Sequence, residues 1–270
     1  MKDNFKIIDA HCHIFPDAIA KKAAAHTDAF YGLTSDYDGT VGMLLEKSGA
    51  HGVDHFVIHS VATSAKQVSS INQFIAREVA LYPGRFTGLG TMHPESTNQR
   101  AEMEELLALG LNGVKLHPDI QGFRADKDYW EIYEMAEALR LPVLIHAGDY
   151  RYDYSNPDRI ERILKGFPKL KLIGAHLGGW SVWDEASERL SPYPNYYVDT
   201  CSSFYDMKND PERALRIMQR YGADRIMFAT DYPMWNAKDE LDFLFSLGFS
   251  EESLRKILCE NAERIYGAKI

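Results

Sequence analysis

Cysteine is scarce in this chain: its 270 residues hold three, Cys12, Cys201 and Cys259, far apart and odd in number. That excludes a disulfide framework and a cysteine-rich zinc module, and reads as free thiols, buried or half-buried. Long apolar runs are also missing. No stretch approaches the roughly 18 residues of a transmembrane helix, and residues 1–6 lack the apolar segment of a secretory leader, so the expected location is cytoplasmic. Basic clusters are absent too. The formal charge is −9, and pairs such as Lys21 and Lys22 never lengthen into a run, which argues against nucleic acid and membranes as partners. No Gly-x-Gly-x-x-Gly follows the first apolar run and no Walker phosphate loop occurs, so the common nucleotide-binding sheets are disfavoured. Linkers, repeats and low-complexity segments are lacking as well, and residues 1–270 are expected to form one domain.

What the chain has is apolar material for a large core, 45% of residues, arranged in a regular alternation. Short runs rich in Val, Ile, Leu and Phe predict strands near 7–11, 55–61, 85–91, 113–117, 142–146, 171–176, 196–200 and 225–230. Segments of helical period predict helices near 41–48, 66–81, 98–109, 129–139, 157–165, 182–190, 211–221 and 238–245, with a further one at 251–266. Eight strands, each with its helix, in a chain of barrel size predict an α/β fold, a (β/α)₈ TIM barrel. Runs such as "PVLIH" and "RIMFAT" are apolar on both faces, as a parallel sheet covered on both sides requires. The connection 14–40 is long, carries a short helical stretch around 17–25, and has the length of a lid.

Barrel active sites lie at the C-terminal ends of the strands, so the polar residue closing each run is informative. The first run ends "IIDAHCHIF". With period-two alternation His11 and His13 point one way and Cys12 the other. The fifth ends at His146, the sixth at His176 and the eighth at Asp231. A single histidine of this kind is more often a satisfied core residue, and Asp231 alone could serve the turn before Pro233. Five ligand-type side chains at the ends of strands that a barrel gathers into one cavity favour a metal site over five coincidences. Imidazoles with a carboxylate suit Zn²⁺, Mn²⁺ or Fe²⁺ better than Ca²⁺ or Mg²⁺.

The segments "IDAHCHIFP", "GVKLHP", "PVLIHAG", "AHLGG", "ATDYP" and "ENAERIYG" follow one another along nearly the whole chain. In that order they resemble the amidohydrolase superfamily, in particular the amidohydrolase-related branch that includes aminocarboxymuconate-semialdehyde decarboxylase. The resemblance implies that His11, His13, His146 and Asp231 hold one divalent metal ion, zinc first with manganese or iron as alternatives. It also implies that His176 acts as base, acid or oxyanion partner, with Asp231 both a ligand and a catalytic proton acceptor.

Lys115 lies two residues before His117 and should face the same cavity, either as a cation for an anionic substrate, as a modified lysine bridging two metals, or as a buried structural charge. The loops after the strands are aromatic: Tyr150, Tyr152 and Tyr154, then Trp180 and Trp183, then Tyr232 and Trp235. They suit a planar or partly apolar small molecule, with Lys115, Arg151 and Trp180 as substrate-binding candidates and Arg124 as a further cation. His59, His93 and His117 read as residues behind the ligands or lining the pocket. Two reactions use this set: hydrolysis of an ester, lactone or amide by metal-activated water, which is favoured, and non-oxidative decarboxylation of an unsaturated or aromatic acid. A TatD-like nuclease is disfavoured, because Lys115 stands where that family has a glutamate and "ATDYP" replaces "ETDAP". A dead barrel used for binding is disfavoured because no ligand is lost. Homo-oligomer formation is left open.

Overall fold

The computed structural model describes residues 5–270; residues 1–4, part of the stretch read above for a leader, lie outside it. Eight parallel strands form a closed barrel among the described residues: β1 (Ile8–His13), β2 (His55–His59), β3 (Phe86–Gly88, resuming at Gly90–Thr91), β4 (Val114–Leu116), β5 (Val143–Ile145), β6 (Leu172–Gly174), β7 (Tyr196–Asp199) and β8 (Ile226–Met227). Neighbours pair in chain order. The ring closes where Ala10 N–H donates to Phe228 O at 2.9 Å and His13 N–H to Tyr232 O at 2.7 Å. Every predicted strand is present, and so is every predicted helix.

The alternation along each strand divides the core in two. Inward residues such as Ile8, Ala10, Val57, Leu144, Ile173 and Met227 fill the barrel, while their neighbours Phe56, Val114, Val143, Leu172 and Val198 meet the surrounding helices. This double burial is why the strands read as continuous apolar runs. At β3 the ladder changes partner around Leu89. Its N–H donates to Ile58 O and the next one, Gly90, to Gly113 O, both at 2.9 Å. Gly90 is required there, since a Cβ would lie 2.3 Å from Leu106 Cδ1 of the helix Gln99–Ala108.

Three departures from the sequence reading matter. The helix expected near 17–25 runs Ala20–Tyr31 and stops at Gly32, whose φ of 68° is the left-handed cap glycine favours. The C-terminal helix opens into a π turn at Lys256–Glu260, where Ile257 O accepts Phe228 N–H at 2.8 Å and so ties the helix to β8. In β1 a bulge inserts one residue: Asp9 pairs with Phe56 but Cys12 with Ile58, three residues against two. That extra residue reverses the inside-outside phase. Ala10 therefore faces inward below the bulge, and His11 and His13 face inward above it.

Asp9 holds the bulge. Its Oδ1 accepts from His11 N–H at 3.2 Å and Thr230 N–H at 3.0 Å, and its Oδ2 from the Thr230 hydroxyl at 2.6 Å. Burial pushes its carboxyl up to about 6, opposed by the Thr230 and His11 bonds. Asp9→Ala strands three buried donors, so the free energy of unfolding should fall by about 3 kcal/mol. Urea unfolding should show this as a lower midpoint at unchanged slope.

Candidate active site

The strand ends deliver six imidazoles to one mouth: His11, His13, His59, His117, His146 and His176. Every one of them is pushed below the usual histidine pKa, with desolvation as the largest cause. Two side chains reach the site through left-handed backbone rather than strand alternation. His176 has φ 56° and Asp231 φ 63°, conformations that cost a non-glycine residue of order 1–3 kcal/mol and that concentrate at functional sites. Without that turn His176, which follows inward-facing Ala175, would point at the helices.

His11, His13 and Asp231 converge. The two Nε2 atoms lie 3.1 Å apart, and Asp231 Oδ1 is 3.2 Å from the first and 3.5 Å from the second. His11 Nδ1 meets Asp199 Oδ2 at 2.8 Å, which keeps the proton on Nδ1 and turns the Nε2 lone pair toward the cluster. Burial raises the Asp231 carboxyl, but His11, His13 and His176 outweigh it and hold it down at about 2. Two imidazole nitrogens and an anionic oxygen facing each other are a donor set that fits a divalent transition ion.

His146 does not join this contact. Its Nε2 lies 3.1 Å from Gly148 O, which only accepts, so Nε2 carries the proton and Nδ1 receives His176 Nε2–H at 3.0 Å. The ring also stacks on His117 at 4.1 Å. Lys115 is fully buried with Nζ 3.2 Å from His11 Nε2. Desolvation lowers its pKa against the pull of Asp231 and Asp199.

Above the strand ends lies a cavity of about 610 Å³ lined by His11, His13, Lys115, His117, His146, His176, Trp180 and Asp231. Its apolar wall is Phe15, Ile71, Phe74, Ile120, Tyr205 and Trp235, and the helix Ala20–Tyr31 roofs it with Ala23, Thr27, Tyr31 and, just before its first turn, Ile19. Tyr31 Oη reaches His117 Nε2 at 2.9 Å and His146 Nε2 at 3.4 Å. Asp206 also lines the cavity, its carboxyl raised to about 7 by burial against a bond from Trp180.

Several sequence candidates are placed elsewhere. Arg151 is not a cavity residue: its Nε and Nη2 are taken by Asp149 at 3.0 and 2.7 Å and its Nη1 by Phe30 O at 2.8 Å. It fastens the end of the roof helix, stacked among Phe30, Tyr31, Tyr152 and Trp180 at 5.1–5.3 Å. Arg124 pairs loosely with Asp128, Tyr150 is exposed, Tyr232 is buried, and His93 receives Glu95 N–H outside the cavity. Sequence reasoning missed Asp199, Cys201 and Tyr31. Cys201 Sγ sits 3.1 Å from His176 Nδ1, and the visible signal for Asp199 was that it closes the seventh apolar run as the other ligand types close theirs.

A family model described as amidohydrolase matches residues 8–268. A γ-resorcylate decarboxylase of Polaromonas sp. is 24% identical, the match covering 80% of this chain and 84% of that protein. Among solved structures, a dihydroxybenzoic acid decarboxylase of Polaromonas sp. with bound manganese and the inhibitor 2-nitroresorcinol superposes with TM-score 0.72 at 19% identity, covering 97% of each chain. A probable 2-pyrone-4,6-dicarboxylic acid hydrolase of Acinetobacter baumannii, with citric acid bound, gives 0.71 at 18%, covering 97% of this chain and 100% of that one.

The Arg151 clamp is testable by hydrogen exchange. In Arg151→Ala the amides of the Ala20–Tyr31 helix should exchange at least tenfold faster, the minimum for losing charge-assisted bonds of about 1.5–3 kcal/mol, with the strands unchanged.

Proposed function

We propose, from the premise that the chain belongs to the amidohydrolase family, that it is a divalent-metal-dependent hydrolase of a small ester, lactone or amide with a planar, largely apolar body. His11, His13 and Asp231 would hold the ion; His146 is the fourth donor that the motif order implies, and ligation requires its ring to give up the Gly148 carbonyl. Zinc leads by donor type, with manganese and iron as alternatives. When bound, such an ion acidifies water and polarises a carbonyl.

The remaining roles fall to side chains. Asp231, ionised and at the cavity floor, takes the proton of the attacking water. His176, held by Cys201 at Nδ1 and facing His146 at Nε2, delivers a proton to the leaving group. The aromatic walls and the roof helix bind the body of the substrate and exclude bulk water, with Trp180 and Lys115 flanking the reacting end.

The observation that carries hydrolysis over decarboxylation is the absence of any arginine lining the cavity among the described residues. Decarboxylation requires an anchored carboxylate. Arg151 is committed to Asp149, burial lowers the Lys115 pKa, and the other lysine of the lining, Lys22, is an exposed residue of the roof helix. The decarboxylase relatives keep carboxy-lyase chemistry as the second reading.

A panel of lactones, esters and aromatic acids, run in ¹⁸O-water with headspace analysis, separates the two. Product carrying ¹⁸O without CO₂ is expected, and His176→Asn should lose at least a hundredfold in kcat while keeping its metal. Stoichiometric CO₂, with deuterium entering at carbon in D₂O, would replace hydrolysis by decarboxylation.

A further inference from the structure

His59 closes β2 beside His13, its register partner, and residues paired across a parallel ladder share a face. Its ring therefore enters the barrel mouth with those of His13 and His11, at centroid separations of 4.4 and 4.8 Å. It is fully buried. Neither ring nitrogen has a hydrogen-bond partner among the described residues.

Neutral imidazole carries one donor and one acceptor, and buried groups of this kind are nearly always satisfied. The other buried mouth histidines obey that rule, His13 being partly exposed: His11 is held by Asp199, His117 by Tyr31 and Ile120 N–H, His146 by Gly148 and His176, and His176 by Cys201. His59 is the exception. One nitrogen from each of His11, His13 and His59 falls within 4.8 Å of the others, a spacing small side-chain rotations would close around an ion of Zn–N length about 2.1 Å.

We infer that His59 is itself a ligand of the ion held by His11 and His13, so that the second strand contributes a donor to the centre. This rests on the metal-dependent reading above. His117 cannot take that role as it stands, since both of its ring nitrogens are used, by Ile120 N–H and by the Tyr31 hydroxyl.

The test uses Co²⁺ as probe, with chelator competition for affinity, on wild type, His11→Ala, His59→Asn and His59→Leu, the last filling the ring volume without a donor. Both His59 variants should bind Co²⁺ more than a hundredfold more weakly, beyond the 10–100-fold that a merely positioning neighbour costs, with altered visible bands. Loss of less than a hundredfold in the His59 variants, while His11→Ala loses the ion, would overturn the inference and leave the metal-dependent reading intact. Wild type that binds no Co²⁺ would overturn both. Should neither His59 variant fold, zinc-loaded wild-type crystals decide: a His59 nitrogen at about 2.1 Å from the ion supports the inference, and one beyond ligating distance overturns it.

Discussion

A dry cluster of basic nitrogens is the constraint on which the rest of this structure turns. Five buried imidazoles, a sixth partly exposed at His13, and the buried Lys115 amine gather at one end of the barrel; burial lowers the pKa of each, and the neighbouring bases lower those of the imidazoles further. Asp231 at the cavity floor and Asp199 behind His11 face these bases with carboxylate oxygens. Desolvated imidazoles kept neutral present lone pairs, and Asp231 a carboxylate, that a bound cation would engage.

The fold is built to hold that arrangement against its cost. Layers of small and branched side chains fill the barrel beneath the site, so the strand ends cannot collapse inward. The bulge in β1, fixed by Asp9, sets the phase of His11 and His13. Left-handed backbone at His176 and Asp231 aims two further side chains inward. The roof helix, clamped by Arg151, then closes the mouth with Tyr31 against His117.

Much of this was legible in the sequence because barrel strands are buried on both faces and end in the residues that do chemistry. The eight apolar runs, His11, His13, His146, His176 and Asp231 all follow from that logic. What was not legible depends on contacts between distant segments. Arg151 reads as a free cation until Asp149, two residues earlier, and Phe30 claim it. Tyr31 belongs to a loop helix whose packing no local pattern encodes. The unsatisfied ring of His59 becomes visible only when its neighbours in space are known. His146 shows the limit in the other direction, since its motif implies a ligand while its ring bonds Gly148 and His176.

The proposal that the mouth is a cation site, so that an ion would stabilise the folded chain, is met most directly by calorimetry of chelator-treated protein as Zn²⁺, Mn²⁺ or Co²⁺ is added back. A ligand that binds only the folded chain adds about 4 kcal/mol at a thousandfold excess over its Kd. The account predicts a Tm that climbs with the logarithm of ion concentration for at least one of these metals. A Tm that stays fixed for all three would contradict it.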